Sequence, residues 1–327
     1  MEISSIGLGT YLGDPGPATD GGYRDSARAF AAAGGTVFDT AANYRMGRSE
    51  RALGQVLGGL DRDSFFVSTK AGYLPMADGV TQESPGAWFQ RVLAGPGVLS
   101  ADEVVDGCHA MTPRYLAHQL EVSLEALRVS RVDLFHLHNP EQQRPALGPA
   151  GFRAAMRRAF EACERMALEG RIGAYGCATW NGFRVPSGAA DHLCLEELLE
   201  DAQAVGGPGH HFRWIQLPLN LAMPEAFAQA TQAFGGELLT PLAAARAAGL
   251  QVQVSASLMQ ARILGKVPAD LLPGCRTPAQ AALQFARSCP GVATALCGMA
   301  NPGHVAENLE LLGRPRAEPQ ELLELLG

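Results

Sequence analysis

Four polar side chains in the first half of the sequence have the chemistry of an acid–base site. Asp39, Lys70 and His138 each end a short apolar run, and Tyr44 follows shortly after Asp39. A free tyrosine, with a pKa of ~10, is a poor acid at neutral pH. A neighbouring ammonium group lowers that pKa, and a carboxylate keeps the ammonium charged. With a histidine that hydrogen-bonds a carbonyl oxygen, this set could protonate the oxygen as a hydride reaches the carbon.

These side chains can meet only if the ends of several strands converge. Short apolar runs bounded by glycine, proline or polar residues are typical of buried parallel strands. Amphipathic helical runs separate them, and several begin at a proline, which suits a first helical turn. The predicted strands are 3–8, 36–39, 65–69, 132–138, 172–177, 214–217, 251–255 and 292–297, and the predicted helices are 23–33, 49–57, 113–127, 152–169, 194–205, 241–248, 278–288 and 302–312.

Eight alternating strand and helix units predict an α/β fold, a (β/α)8 TIM barrel. No shift in composition marks a domain boundary, so we expect residues 1–327 to form a single barrel domain. Residues 318–326 are predicted to form an extra C-terminal helix. In such a barrel the second, third and fourth strands are neighbours, so the four polar side chains should face one mouth.

A long insertion, residues 71–112, interrupts the alternation after the third predicted strand. It is rich in glycine and proline, and it leaves the barrel face where active sites are built. We expect this insertion to shape a substrate pocket. Tyr73, Trp88 and Phe89 within it could line that pocket, or they could form a small core that holds the insertion down.

Composition narrows the class of protein. The 327 residues include 26 Lys and Arg against 33 Asp and Glu, a net charge of −7, which argues against a nucleic-acid-binding surface. The seven cysteines form no CxxC pair, as expected of reduced thiols rather than disulfides or a zinc site. No apolar run reaches the ~18 residues of a membrane span. We expect a cytoplasmic protein without membrane or nucleic-acid partners, as a monomer or small homo-oligomer.

Two other motifs could indicate a dinucleotide-binding Rossmann fold or a metal site, but the evidence for each is weaker. Gly7, Gly9 and Gly13 have the spacing GxGxxxG rather than the GxGxxG of a dinucleotide-binding Rossmann fold, and prolines follow where the helix should run. Cys108, His109 and Met111 could bind a soft metal, but no second cluster stands at ligand spacing. We therefore expect no metal site.

The segment from Phe38 to Tyr44 resembles the aldo-keto reductase signature, and further motifs follow in the family's order. The resemblance implies a (β/α)8 barrel, an NADPH or NADH cofactor, and Tyr44 as general acid assisted by Asp39, Lys70 and His138. The other motifs that carry it are Arg48-Ser49-Glu50, Leu53-Gly54, Thr69-Lys70, Asp133-Leu134-Phe135-His136-Leu137-His138-Asn139-Pro140, Gly298-Met299 and Glu307-Asn308.

The same resemblance implies which residues bind the cofactor. Several depart from the family pattern: Ala178-Thr179 replaces a Ser-Asn pair that holds the nicotinamide amide, and Ser255 replaces a stacking aromatic residue. The resemblance implies NADP(H) as the cofactor, with NAD(H) as an alternative because Gly298 and His304 stand where basic residues often hold the 2′-phosphate. The implied cofactor-binding residues are Gly9, Thr10, Thr179, Gln216, Ser255, Ser257, Leu258, Gln260, Gly298, Met299, Asn301, His304, Glu307 and Asn308.

The sequence thus favours an NAD(P)H-dependent oxidoreductase that interconverts a carbonyl and an alcohol on a small organic substrate, with a tyrosine as general acid and base. An alternative keeps the barrel and the four acid–base residues for non-redox lyase, dehydration or isomerase chemistry. A third hypothesis, a non-enzymatic binding subunit, has no use for the four acid–base residues.

Overall fold

A computed structural model describes residues 2–75 and 83–325. Its parallel strands close into a barrel in which each strand pairs with its neighbours along the chain, and the last strand pairs with the first. The predicted (β/α)8 barrel is therefore confirmed. The strands are β1 Ile6–Gly9, β2 Val37–Asp39, β3 Phe66–Ala71, β4 Val132–His138, β5 Ile172–Ala178, β6 Phe212–Pro218, β7 Gln251–Ser255 and β8 Val292–Gly298.

A helix follows every barrel strand, as the alternation predicted, and most helix bounds differ from the prediction by a few residues. The prediction missed the start of the first helix, which begins at Pro17, where proline needs no hydrogen bond. The helices are α1 Pro17–Ala32, α2 Arg48–Leu57, α3 Pro113–Leu127, α4 Arg144–Leu168, α5 Leu195–Gly206, α6 Pro241–Ala247, α7 Pro278–Ser288 and α8 Pro302–Leu309, followed by the extra C-terminal α9 Pro319–Glu324.

Two predicted helices differ more from the structure. Helix α4 begins at Arg144 and is broken at Gly148, whose φ of 65° and ψ of 171° are not helical, so its first part was missed. The run predicted to continue to residue 312 turns at Glu310–Gly313 into a 3-10 helix. Residue 326, the predicted end of the C-terminal helix, lies outside the described residues.

The insertion 71–112 carries structure of its own, although residues 76–82 lie outside the described part of the chain. A short helix, Pro85–Phe89, continues into a π-helical turn, Gln90–Ala94. Trp88 is buried in a small apolar cluster, against which Phe89 packs. The core-forming alternative therefore holds for these two residues, whereas Tyr73, at the base of the insertion, lies at the mouth of the barrel. The cluster also includes Leu93, Leu99, Ala110 and Tyr115.

Several polar side chains of the strands point into the barrel, whereas Thr69 of β3 points outward and donates to Glu50 of α2. Asp39 of β2 bonds Gln216 of β6, and Ser68 of β3 bonds Gln253 of β7, although neither pair of strands is adjacent. Such bonds can form only across the barrel interior. Apolar strand residues such as Leu8 and Val67 join the large hydrophobic core. The strands thus present polar side chains to the barrel interior and apolar side chains to the helices that surround it.

A two-stranded antiparallel hairpin, Gln232–Phe234 with Glu237–Leu239, was not predicted. It turns at Gly235 and Gly236, whose φ angles are 61° and 83°. Within the described residues, no helix combines the length and the apolar character needed to cross a membrane.

Candidate active site

The C-terminal ends of the barrel strands surround a cavity of about 860 Å³. Asp39, Tyr44 and His138 line it, and Lys70 lies fully buried directly behind Asp39. The structure thus brings together the four acid–base residues that the sequence predicted. They come from the ends of β2, β3 and β4 and from the loop after β2, which meet on one side of the mouth.

Asp39 and Lys70 form a buried ion pair, with 2.6 Å between Asp39 Oδ2 and Lys70 Nζ. Lys70 Nζ also donates to the carbonyl oxygen of Thr40 at 2.8 Å. Burial alone would lower the pKa of Lys70, but its charge interactions and hydrogen bonds with Asp39 and Tyr44 together outweigh burial, and the pKa is raised. Lys70 therefore stays an ammonium group, which stabilises negative charge beside it.

The Tyr44 ring lies over this ion pair, with Lys70 Nζ 4.9 Å from its centroid. Burial raises the pKa of Tyr44, and the positive charge of Lys70 opposes that rise. The phenol is therefore protonated at neutral pH and stands beside a cation that stabilises the phenolate. Its ring also contacts Tyr11 and His138 edge-on, with centroids at 5.0 and 5.7 Å.

The loop that presents Tyr44 is held in an unusual backbone conformation. Arg45, Met46 and Gly47 have φ angles of 50°, 59° and 76°, in the left-handed region. The buried guanidinium group of Arg45 holds this turn, because it donates to Asp20 in α1 at 2.6 Å and to the carbonyl oxygen of Asp14 at 2.9 Å. A contact outside the cavity thus fixes the direction of the tyrosine.

Inside the barrel, polar side chains converge on the second oxygen of Asp39. Ser68 Oγ and Gln216 Nε2 donate to Asp39 Oδ1 at 2.7 and 3.0 Å. Gln253 accepts from Gln216 at 2.9 Å and lies 3.4 Å from Ser68 Oγ, to which it donates. His136 Nε2 lies 3.1 Å from Gln253 Oε1. Burial lowers the pKa of His136 to about 4, so this interior histidine is neutral and supports Gln253 through that hydrogen bond.

His138 faces the cavity from the end of β4, as expected, whereas His136 lies in the barrel interior. Burial and the charge of Lys70 hold the pKa of His138 well below its usual range. The imidazole is therefore neutral and donates through one ring nitrogen only. Its Nδ1 atom is buried without a hydrogen-bond partner.

Most of the implied cofactor-binding residues lie along the remainder of the cavity. Two do not: Met299 is fully buried in the apolar core, and Asn301 caps α8, its Oδ1 accepting from Gly303 N at 2.9 Å. Neither side chain is positioned at the cavity wall. The implied residues that line the cavity are Gly9, Thr10, Thr179, Gln216, Ser255, Ser257, Leu258, Gln260, Gly298, His304, Glu307 and Asn308.

Three polar oxygens along this part of the cavity are buried without a protein partner: Thr179 Oγ1, Ser257 Oγ and Asn308 Oδ1. Buried polar atoms without partners are costly and are usually satisfied by a ligand or water. An elongated polar ligand such as a dinucleotide fits this arrangement. Thr277, Pro278 and Ala279, at the start of α7, close the far end.

The prediction missed several cavity residues that follow strand ends. Tyr11 and Leu12 follow β1, and Trp180 follows β5. Their positions just beyond strands could have identified them, because barrel sites are built from these loops. Asn43 and Asn139 add amide groups beside Tyr44 and His138.

Trp180 belongs to a loop whose backbone is hydrogen-bonded to the buried carboxylate of Glu141. Glu141 Oε1 accepts from the backbone N–H groups of Trp180 at 2.8 Å, Asn181 at 3.2 Å and Gly182 at 3.4 Å. Burial raises the pKa of Glu141 to about 7, even though these bonds favour the ionised form. The carboxylate fixes the cavity wall directly after Thr179.

Comparison with known proteins identifies related chains. The model of the aldo/keto reductase family matches residues 5–186. A D-threo-aldose 1-dehydrogenase from a Pseudomonas species is 33% identical over 147 residues, 44% of this chain and 40% of that protein. An NADH-specific methylglyoxal reductase from Escherichia coli K12 is 26% identical over 279 residues, 84% of this chain and 69% of that protein. The first alignment thus spans less than half of the relative's length.

Solved structures share the fold at low sequence identity. An aldo/keto reductase from Klebsiella pneumoniae, in complex with NADP and acetate, is 21% identical with a TM-score of 0.64, covering 99% of this chain and 90% of that chain. The holo form of an aldo-keto reductase from Bacillus halodurans is 19% identical with a TM-score of 0.66, covering 99% of this chain and 92% of that chain.

Proposed function

We propose, because this chain belongs to the aldo/keto reductase family, that it is an NAD(P)H-dependent oxidoreductase that interconverts a carbonyl and an alcohol on a small organic substrate. The observation that carries the proposal is the buried Asp39–Lys70 pair beneath Tyr44 at the wall of the cavity. The names of its relatives support it, since they are a dehydrogenase and an NADH-specific reductase. The NADP bound to the structural neighbour agrees with it.

The cavity fits a nicotinamide coenzyme, NADP(H) or NAD(H). Thr179, Ser257 and Asn308 offer unpartnered oxygens, and Gln216 uses its amide nitrogen on Asp39 and Gln253. Its carbonyl oxygen is then available to accept from a carboxamide group. When bound, such a coenzyme supplies hydride to the carbonyl carbon or accepts it from the alcohol.

In this mechanism Tyr44 donates its phenolic proton to the carbonyl oxygen as the alcohol forms. Lys70 stabilises the phenolate that remains, and Asp39 keeps Lys70 charged and oriented. His138 is neutral, so its N–H group can hold the carbonyl oxygen without competing for the proton. In the oxidative direction Tyr44 accepts the alcohol proton.

The other expectations remain part of this proposal. A small carbonyl or alcohol is the substrate, the location is cytoplasmic, and the chain acts as a monomer or small homo-oligomer without nucleic-acid or membrane partners.

Fluorescence titration of the purified protein with NADPH and with NADH tests the proposal. We expect saturable binding, followed by coenzyme consumption with a panel of small aldehydes and ketones. A chain that binds neither coenzyme at millimolar concentration would contradict the proposal and favour the non-redox lyase, dehydration or isomerase chemistry.

A further inference from the structure

The two ends of the insertion 71–112 meet directly behind His138. Tyr73 and His109 form an antiparallel bridge. The backbone N–H of Ala110 donates to the Gly72 carbonyl oxygen at 2.9 Å, and that of Leu74 donates to the Cys108 carbonyl oxygen at 2.7 Å. The base of the insertion is therefore anchored to the end of β3, beside the residue that ends β4.

His109 makes the contact that joins this base to His138. It is fully buried, and its Nε2 atom lies 2.7 Å from the backbone oxygen of His138. A carbonyl oxygen can only accept, so Nε2 carries the proton. Nδ1 then accepts from Gln143 Nε2 at 3.0 Å, and the same amide group donates to the His109 carbonyl oxygen at 3.1 Å. Both ring nitrogens are thus engaged in one consistent tautomer.

Gly72 leaves the space that this contact needs. A Cβ atom at residue 72 would lie 2.6 Å from His109 Nε2 and 2.7 Å from the His138 carbonyl oxygen. Any side chain there would push the two partners apart. The close approach of His109 to His138 therefore depends on a glycine at this position.

Tyr73 adds a second contact, to the His138 side chain. Its ring meets His138 and His109 edge-on, with centroids at 5.0 Å in both cases and interplanar angles of 89° and 86°. Its hydroxyl accepts from Asn139 Nδ2 at 3.0 Å. The insertion thus contacts both the backbone and the ring of His138.

His138 needs such support, because its ring lacks the usual orienting bond. A functional histidine is commonly held by a hydrogen bond from its second nitrogen. Here Nδ1 of His138 has no partner. Its orientation depends on the backbone at residue 138 and on the Tyr44 and Tyr73 rings on which it packs.

We propose that His109 is a positioning residue for the reaction, which acts through His138. The inference rests on the proposed function, in which His138 orients the carbonyl oxygen. Through His109 and Tyr73 the base of the insertion holds His138, while the cluster around Trp88 anchors the described segment from Trp88 to Val104.

Two substitutions at His109 separate this role from a merely structural one. His109→Phe keeps a ring of similar size but removes the bond, whereas His109→Gln keeps a donor of similar reach. We expect His109→Phe to lower kcat by ~10-fold or more with an unchanged coenzyme Kd, since small displacements of a catalytic group are costly. His109→Gln should recover most of the loss.

A double-mutant cycle with His138→Ala makes the test specific. In that background, His109→Phe should change kcat by less than ~2-fold, because the group through which it acts is gone. Gln143→Leu, which removes the partner of His109 Nδ1, should show the same dependence and replaces His109→Phe if that variant does not fold.

Equal losses of kcat in both backgrounds would overturn the proposal, as would normal kcat in His109→Phe. A failure of the proposed function looks different. In that case the unmodified protein binds no coenzyme, or His138→Ala alone keeps full turnover.

Discussion

At one end of the cavity the charged groups are already paired within the protein, whereas at the other end polar atoms have no protein partner. Asp39 accepts from Lys70, Ser68 and Gln216. By contrast, Ser257 Oγ and Asn308 Oδ1 are buried and unpartnered. The difference indicates that the chain preorganises the Asp39–Lys70 pair by itself, while it leaves the oxygens of Ser257 and Asn308 for a ligand to complete.

The two ends also differ in charge. The end beside Tyr44 holds a complete buried ion pair, Asp39–Lys70. Among the described residues that line the cavity there is no lysine or arginine, and the titratable side chains at the far end are Cys297, His304 and Glu307. Glu307 is engaged by the Thr277 hydroxyl at 2.6 Å. A 2′-phosphate gains most from arginine or lysine, and Arg262 and Arg276 adjoin the lining residues Ala261 and Thr277 without lining the cavity themselves.

Removing the proton donor should have the largest effect. Tyr44→Phe should lower kcat by ~10²-fold or more, as for loss of a positioned acid, and leave coenzyme affinity nearly unchanged. Steady-state kinetics and fluorescence titration measure the two quantities. Tyr11→Phe is the matched control, because the Tyr11 ring packs on Tyr44. This substitution should lower kcat far less. Near-normal turnover of Tyr44→Phe would show that another group supplies the proton.

Breaking the buried ion pair should come next. Lys70→Met leaves the Asp39 carboxylate buried without its cation, so the free energy of unfolding should fall by ~3–5 kcal/mol. Denaturant unfolding measures this, with Arg28→Met, which breaks an exposed pair with Asp25, as a control expected below ~1 kcal/mol. Similar losses in both variants would mean that the end beside Tyr44 is not preorganised as described.

Adding a cation at the His304 end of the cavity should change the preference between NADPH and NADH. We expect the unmodified protein to discriminate weakly between NADPH and NADH, and His304→Arg to shift the preference toward NADPH by ~10-fold through a charge-assisted bond. Titration of both coenzymes measures the ratio, with His304→Gln as a neutral control. A strong NADPH preference that survives in the glutamine variant would show that a cation elsewhere binds the phosphate.

The same serine-to-alanine change at the two ends should have opposite consequences, although each is modest. Ser68→Ala removes a donor to Asp39, and we expect ~1–3 kcal/mol of lost unfolding free energy. Ser257→Ala removes an unpartnered hydroxyl, so stability should stay level or rise slightly while coenzyme Kd increases by a few-fold. Parallel unfolding and binding curves decide this, and a clear loss of stability in Ser257→Ala would contradict it.

The sequence predicts the barrel well because each strand is a short apolar run with clear breakers on both sides. It also places Asp39, Lys70 and His138 correctly, since strand ends converge by geometry once the barrel is assumed. The resemblance added the implied cofactor-binding residues, of which Met299 and Asn301 do not line the cavity. An asparagine directly before Pro302 is a typical helix N-cap, which could have indicated its structural role.

Other features depend on contacts that no local pattern encodes. The bond from His109 to His138 forms only when the insertion folds back on itself, and residues 109 and 138 carry no shared motif. Trp88 allowed two interpretations because an aromatic residue suits a pocket and a core equally. The hydrogen-bond network of Asp39, Ser68, Gln216 and Gln253 joins strands from opposite sides of the barrel. It follows only from the closure of the barrel.

The seam between β1 and β8 has a consequence for the order in which the protein is made. Asp39, Tyr44, Lys70 and His138 are synthesised early, but the ~150 residues between His138 and β8 take roughly 8–30 s to translate. Until β8 emerges, β1 has an open edge, and such edges promote aggregation. Gly7 lies on this seam, where an added Cβ would come within 2.7 Å of Leu296. A substitution there would leave Asp39, Tyr44, Lys70 and His138 unchanged, but the Leu296 side chain would have to move before the barrel could close.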